Sequence, residues 1–223
     1  GLRFFERAEI KHALAYLRLL ENPRDDTSFM RVVNFPPRGI GARSIEQLQD
    51  ASRAMGCAMS DAVTAVAGKA GANLSAFVAK IDVLREQTQG QNLREIIELL
   101  LDHSGLITHY QGEREGQDRI ENLQELVNAA ESFVTQEGFG RDAVALPIDE
   151  HGQPMVTDSN AAPQTMINAD TGETLSPLAA FLTHAALEAG DNQAQAGQDA
   201  IQLMTVHASK GLEFDCVFIT GME

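Results

Sequence analysis

The chain has 223 residues, of which 43% are apolar and 22% charged, and its formal net charge is −15. This acidic balance excludes a protein that coats nucleic acid by bulk electrostatics, because neutralising phosphates needs clustered Lys and Arg. Local basic clusters and backbone amides can still bind DNA. No secretory segment and no apolar run of about 18 residues is present, so nothing in the sequence predicts export or membrane insertion.

Hydrophobic periodicity predicts a mainly helical, bundle-like fold. An Asn-Pro pair ends the first predicted helix. Ser44 and Gln47 form a capping box that opens the second helix, and Gly56 stops it. Ser60 is predicted to cap a short third helix. These three helices span residues 6–20, 44–55 and 60–68.

The helical pattern continues after residue 70 and returns near the end of the chain. Asn92 and Glu95 supply a second capping box. Ser176 is followed by a proline, which is the usual arrangement at the start of a helix. The remaining predicted helices span residues 73–88, 92–103, 118–135 and 177–189.

The segment 137–174 interrupts this pattern. It is rich in Gly, Pro, Asp, Asn and Thr, so it buries too little apolar area to offset the entropy of ordering and is predicted to be a long loop or a disordered insertion. We predict a helical unit at residues 1–190. Residues 191–223 are predicted to form a linker and a β-loop-β piece that needs a neighbouring sheet. Both ends look cut, which favours an excised piece of a larger protein.

The first candidate site is the segment Pro-Pro-Arg-Gly-Ile-Gly at residues 36–41, which directly precedes a predicted helix. Its two glycines allow a tight turn with backbone N–H groups pointing outward, and Ile40 can pack into the core. Helix-hairpin-helix loops grip a duplex backbone in this way without reading bases. Arg38 and Arg43 could add ionic contacts. The alternative is an ordinary turn between helices.

Arg119 is the second candidate, because it lies in a polar helix opening at residues 117–123. It could bind a phosphate or a neighbouring domain. The alternative is a solvated first turn in which acidic residues complement the helix dipole.

The third candidate is the polar loop at residues 205–214, which lies between two strand-like segments. Lys210 offers a cation for a phosphate and Glu213 an acceptor for a ribose hydroxyl. Thr205 could donate to a phosphate and His207 could stack on a nucleotide. The alternative is a surface turn.

The sequence lacks several other kinds of site. It has no phosphate-loop motif, so the chain is predicted not to hydrolyse a nucleotide unaided. His and Cys residues show no metal-ligand spacing, and Cys57 and Cys216 are predicted to be reduced thiols.

Three ordered blocks of sequence carry a family resemblance. The first is residues 1–11 together with residues 15–18. The second combines Arg-Gly-Ile-Gly at 38–41 with Arg-Ile-Glu-Asn-Leu at 119–123. The third is Leu-Met-Thr-Val-His-Ala-Ser-Lys-Gly-Leu-Glu-Phe at 203–214. With these blocks the chain resembles the UvrD/Rep/PcrA family of superfamily 1 DNA helicases, and most closely its UvrD branch.

The resemblance implies a division of the chain. Residues 1–190 would form the mainly α-helical subdomain called 2B, and residues 191–223 would carry motif V of the RecA-like second motor domain, 2A. The segment 139–174 looks like extra sequence relative to the family.

The resemblance also implies an ATP-driven motor that moves 3′ to 5′ on single-stranded DNA in nucleotide excision and mismatch repair. Such a protein would use ATP and Mg²⁺, contact the single strand and the duplex junction, meet DNA repair proteins, and work at the nucleoid in the bacterial cytoplasm without a membrane. No complete catalytic set is expected in this chain, and it should bind no cofactor alone. The implied ATP-binding residues are Lys210, Gly211 and Glu213. The implied DNA-binding residues are Arg38, Gly39, Ile40, Gly41, Arg43, Arg119, Thr205 and His207.

Two alternatives remain open at this point. A helicase-nuclease subunit of the RecB/AddA type shares motif V. A non-enzymatic protein-interaction module would account for the net charge of −15 and the acidic segment.

Overall fold

The computed structural model describes residues 3–136, 166–167, 174–190 and 216–219. The chain forms two compact units, Gly1–Asp191 and Asn192–Glu223. The first unit contains α1 (Ala8–Glu21), α2 (Asp26–Val32), α3 (Ala42–Met55), α4 (Gly68–Gln87), α5 (Leu93–Ser104), α6 (Leu106–Gln111), α7 (Gly116–Gln136) and α8 (Pro177–Ala189). It also contains the 3₁₀ helices Phe4–Glu6 and Met59–Ala65 and the short strands β1 (Met166–Ile167) and β2 (Thr174–Leu175), which pair antiparallel.

The prediction of a mainly helical fold is confirmed, and several helix ends lie where the sequence signals placed them. Asn92 accepts from the N–H of Glu95, whose side chain accepts in return from the Asn92 N–H, so the predicted capping box forms. Ser176 caps α8 with a proline at its first turn. Gly56 ends α3 in the left-handed region at φ 62°. Local side-chain hydrogen bonds are sufficient to set these boundaries.

Two predicted caps are wrong. Helix α3 begins at Ala42 with Gly41 as its N-cap, and no side chain caps it. The N–H of Ser44 already bonds to the carbonyl of Gly41, so Ser44 lies inside the first turn. Ser60 lies within a 3₁₀ helix, and Gly68 opens α4 instead of ending a helix. Hydrogen bonds from outside each helix accompany the observed starts: Asn34 holds the loop before α3, and Asp26 accepts from the N–H of Met59 at the start of the 3₁₀ helix.

Helix α1 is the centre of the unit, because it contacts α2, α4, α5, α7 and α8. Its buried residues extend around most of its circumference, so the predicted amphipathic helix is in fact a core helix. Tyr16 is completely buried, and Phe77 packs edge-on against Phe29 with ring centroids 5.5 Å apart. Helices α2 and α6 had no counterpart among the predicted helices, since both are short and have little room to show periodicity.

The second unit is described only at residues 216–219, whose side chains are exposed. These four residues belong to the second predicted strand and are in no strand here. The rest of the predicted β-loop-β piece and most of the segment 137–174 lie outside the described residues and stay predictions. Over the described ranges, each helix is too short or too polar to span a lipid bilayer.

Candidate nucleic-acid interface

The loop between α2 and α3 is held by the side chain of Asn34. Its Oδ1 accepts from the N–H of Arg38 at 2.7 Å and from the N–H of Ile40 at 3.2 Å. Ile40 is only 3% exposed and packs in the core, as predicted. Gly39 between them adopts φ 71°, a region that glycine enters at no steric cost. The loop therefore makes a tight turn with its apolar residue inside and its glycines outside.

Backbone donors collect where this loop meets α3. The N–H groups of Gly39, Gly41, Ala42 and Arg43 have no acceptor among the described residues, and all four residues are exposed. The first turn of α3 contains no acidic residue, so the positive end of the helix dipole is not neutralised there. Free amides at a positive helix end are suited to bind a phosphate oxygen.

The two arginines of this region differ in orientation. The side chain of Arg43 is exposed and has no partner among the described residues. The guanidinium of Arg38 lies inside, where it donates to the hydroxyl of Tyr16 at 2.6 Å and to the carbonyl of Ser104 at 3.1 Å. Arg43 is thus placed to meet a ligand in solution, while Arg38 contacts the protein.

Arg119 also makes internal contacts. Its Nη1 lies 3.8 Å from Oε2 of Glu9, its Nε lies 3.7 Å from Oε2 of Glu113, and its guanidinium covers the ring of Tyr110 at 5.4 Å. Glu9 is only 6% exposed, and it also accepts from Nδ2 of Asn122 at 2.7 Å. Burying a carboxylate is costly unless it is paired. Arg119 therefore helps to satisfy a buried charge between α1 and α7.

An aromatic cluster joins this ion pair to the loop. The ring of His12 stacks on Phe35 with centroids 3.8 Å apart, and its Nδ1 lies 3.4 Å from the hydroxyl of Tyr110. Burial lowers the pKa of His12 to about 4, and the positive charges of Arg31, Arg119 and His109 act in the same direction against the opposing charge of Glu9. His12 is therefore neutral at physiological pH and acts as an aromatic residue.

This low pKa leads to a testable pH dependence. Between its ordinary value of 6.5 and about 4, the unfolded chain binds a proton at His12 that the folded chain does not. Stability should therefore fall as pH falls through this window. A His12→Phe variant should lose part of that fall because phenylalanine binds no proton, while its ring can keep the stacking on Phe35. Hydrogen exchange of α1 amides at pH 7 and pH 5 would measure the difference. An identical pH dependence in the variant and the parent would contradict the assignment.

Several residues that shape the site were missed by sequence reasoning. Asn34, Tyr16 and Asn73 lie near the loop, and Nδ2 of Asn73 donates to the carbonyl of Arg38 at 2.8 Å. Glu9 and Asn122 support Arg119. Each is a polar residue next to buried apolar neighbours in its helix or loop, which is a weak signal for an internal hydrogen bond.

The remaining predicted residues, Thr205, His207, Lys210, Gly211 and Glu213, lie outside the described residues. Their assignment to DNA or ATP stays a prediction. In the part of the chain that the structure describes, no group of three His, Cys, Asp or Glu side chains could hold a metal ion.

Comparison with known proteins identifies the class of protein to which this fold and loop correspond. The sequence profile of the UvrD-like helicase C-terminal domain matches residues 1–223, so the chain belongs to this family. The resemblance to the UvrD/Rep/PcrA helicases is thereby confirmed.

Individual relatives are similar along the whole chain. DNA helicase II of Escherichia coli K12 is 42% identical over 231 residues, covering 100% of this chain and 28% of the helicase. UvrD1 of Mycobacterium leprae, an ATP-dependent DNA helicase, is 35% identical, with 100% and 28% covered. The ATP-dependent DNA helicase PcrA of Bacillus subtilis is 32% identical, with 100% and 27% covered. The chain thus spans little more than a quarter of the length of these relatives.

Proposed function

We propose that this chain is the duplex-contacting part of an ATP-dependent DNA helicase. One observation carries the proposal: the uncapped start of α3 presents the N–H groups of Gly39, Gly41, Ala42 and Arg43 on an exposed loop. The net charge of −15 disfavours broad electrostatic attachment, so a local amide site is the form of DNA contact that this composition permits. The names of the relatives support DNA as the ligand.

The contact would recognise the phosphate backbone and not the bases. Amides at a helix start bind phosphate oxygens without sequence information, and Arg43 would add one ion pair from the side. Gly39 and Gly41 leave room for the backbone of the duplex to approach. A helicase needs this kind of contact, because the duplex that it meets has no fixed sequence.

The finer assignments are part of the same proposal. Residues 1–190 would form subdomain 2B, and residues 191–223 would carry motif V, with Thr205 and His207 on the single strand and Lys210, Gly211 and Glu213 facing ATP. The whole protein would move 3′ to 5′ with ATP and Mg²⁺ and act in DNA repair. Hydrolysis would depend on motor motifs outside this chain. The resemblance of residues 203–214 to motif V supports these roles.

A Gly41→Asp variant of the full-length protein tests the duplex contact. Aspartate is a favourable N-cap residue, so α3 should be unchanged or stabilised by about 0.5 kcal/mol. Its carboxylate would bond the free amides and repel a phosphate, so affinity for a blunt duplex should fall by about tenfold, or 1.4 kcal/mol. Fluorescence anisotropy without nucleotide would measure the affinity, and thermal unfolding would measure the stability.

Gly41→Asn is the matched control. Asparagine caps the helix equally well and has almost the same shape, but it carries no charge, so the loss of affinity should be clearly smaller. Duplex affinity that is the same in Gly41→Asp and the parent, with the fold intact, would remove the loop from the DNA interface.

A further inference from the structure

The guanidinium of Arg38 lies between the carboxyl ends of two helices. Nη1 donates to the carbonyls of Val32 at 2.9 Å, Val33 at 3.3 Å and Pro36 at 3.2 Å. Nη2 donates to the carbonyl of Ser104 at 3.1 Å. Val32 ends α2 and Ser104 ends α5, where helices leave carbonyls without intrahelical partners. One cation therefore satisfies both helix ends and lies at their negative dipole poles.

Aromatic rings enclose the same guanidinium. Its central carbon lies 4.9 Å from the ring centroid of Phe77 and 5.8 Å from that of Tyr16. The Tyr16 hydroxyl accepts from Arg38 and donates to the carbonyl of Phe35. The planar, delocalised guanidinium suits this combination of stacking and forked hydrogen bonds, whereas an ammonium would not reproduce it.

The main chain of Arg38 is held as firmly as its side chain. Its N–H donates to Asn34, and its carbonyl accepts from Asn73. The next residue, Gly39, turns the chain outward at φ 71°. The direction of the exposed amides of Gly39 and Gly41 therefore depends on where Arg38 is fixed.

Moving this guanidinium to a phosphate would leave most of its present acceptors without a donor. Those are the carbonyls of Val33, Pro36 and Ser104 and the hydroxyl of Tyr16, whereas the carbonyl of Val32 keeps the N–H of Phe35. Buried acceptors that lose their partners cost free energy, which opposes such a movement. Arg43, only a few residues away, is exposed and loses no described contact when it meets a ligand.

We propose that Arg38 is a positioning residue for duplex binding and not a DNA ligand: it fixes the 36–41 loop from the inside so that the amides before α3 face the phosphate backbone. This inference rests on the proposed function and changes the role that the sequence suggested for Arg38.

The test compares three variants of the full-length protein, Arg38→Lys, Arg38→Gln and Arg43→Gln, by blunt-duplex affinity over a range of salt concentrations. A plot of log affinity against log salt has a negative slope, and loss of one phosphate contact makes that slope less steep by about 0.9. We expect this change for Arg43→Gln alone. Arg38→Lys keeps the charge but loses the forked hydrogen-bond donors of the guanidinium. It should therefore bind the duplex about tenfold more weakly, with the same salt slope as the parent. Arg38→Gln should behave in the same way.

Single-strand-stimulated ATP hydrolysis separates positioning from general damage, and it should be unchanged in Arg38→Lys and Arg38→Gln. If Arg38→Lys does not fold, Tyr16→Phe replaces it. This variant removes a buried hydroxyl and no charge, and it should weaken duplex binding about threefold with the parental slope.

Two results would overturn the inference. One is parental affinity in Arg38→Lys together with a slope reduced by about 0.9 in Arg38→Gln, since that pattern defines a phosphate ligand. The other applies where Tyr16→Phe replaces Arg38→Lys: this variant binds the duplex with the same affinity as the parent. Failure of the proposed function looks different, because Gly41→Asp would then bind duplex as the parent does.

Discussion

Replacing Gly39 with valine is expected to lower the local free energy of unfolding by about 2 kcal/mol, because φ 71° is strained for a β-branched residue. A Cβ at this position would also lie 3.3 Å from Nδ2 of Asn73, the group that holds the carbonyl of Arg38. The exposed amides should lose their direction, and duplex affinity should fall by more than about tenfold. Hydrogen exchange of the α3 amides and duplex anisotropy would measure the two effects.

Gly39→Asn is the control for this prediction. Asparagine enters the left-handed region more readily than other side chains, so it should lose less than half as much stability as valine. Its Cβ has the same neighbour, the movable end of Asn73, so the difference between the variants isolates backbone strain. Equal losses in the two variants would show that the turn does not depend on the positive φ.

Replacing Asn122 with leucine is expected to destabilise the contact between α1 and α7 by about 3 kcal/mol, because the buried carboxylate of Glu9 loses its shortest hydrogen bond. The loose contact with Arg119 at 3.8 Å remains and cannot replace it. Arg7 also loses the Oδ1 of Asn122 as its acceptor. Hydrogen exchange of the α1 and α7 amides in the full-length protein would report this local loss.

The double variant Glu9→Met with Asn122→Leu tests the explanation. It removes the buried charge along with its partner, so most of the lost stability should return. If the double variant is less stable than Asn122→Leu alone, the cost comes from packing and not from an unpaired carboxylate.

The proposed interface combines an exposed backbone with an internal support. The amides that would meet DNA belong to Gly39, Gly41 and the start of α3, and none of these groups carries a charge of its own. Arg38, Asn34 and Asn73 hold them from behind. This division is consistent with a net charge of −15, because the contact needs only one exposed arginine, Arg43, beside the amides.

The sequence was sufficient to predict helix starts that depend on interactions between neighbouring residues. Asn92 with Glu95 and Ser176 with its proline set their helix starts through hydrogen bonds within one turn. The loop at 36–41 was recognised because prolines and glycines interrupt a regular helix there and the glycines permit a tight turn around a buried isoleucine. It was insufficient at Ser44, where the preceding loop began the helix two residues earlier.

By itself, the sequence determined the helical class and the position of the glycine loop, because periodicity, caps and glycine geometry act over short stretches of chain. It also indicated the family, through three ordered blocks of residues that resemble the family's own. Tertiary structure alone decided which groups the arginine side chains contact. In the sequence, Arg38 and Arg119 look like arginines that could bind a ligand at the surface. In the structure, groups of α1 and α5 hold the guanidinium of Arg38 inside, and groups of α1 and α6 contact the partly exposed guanidinium of Arg119. The orientation of a guanidinium depends on its hydrogen-bond acceptors, and these acceptors come together only when helices distant in sequence pack.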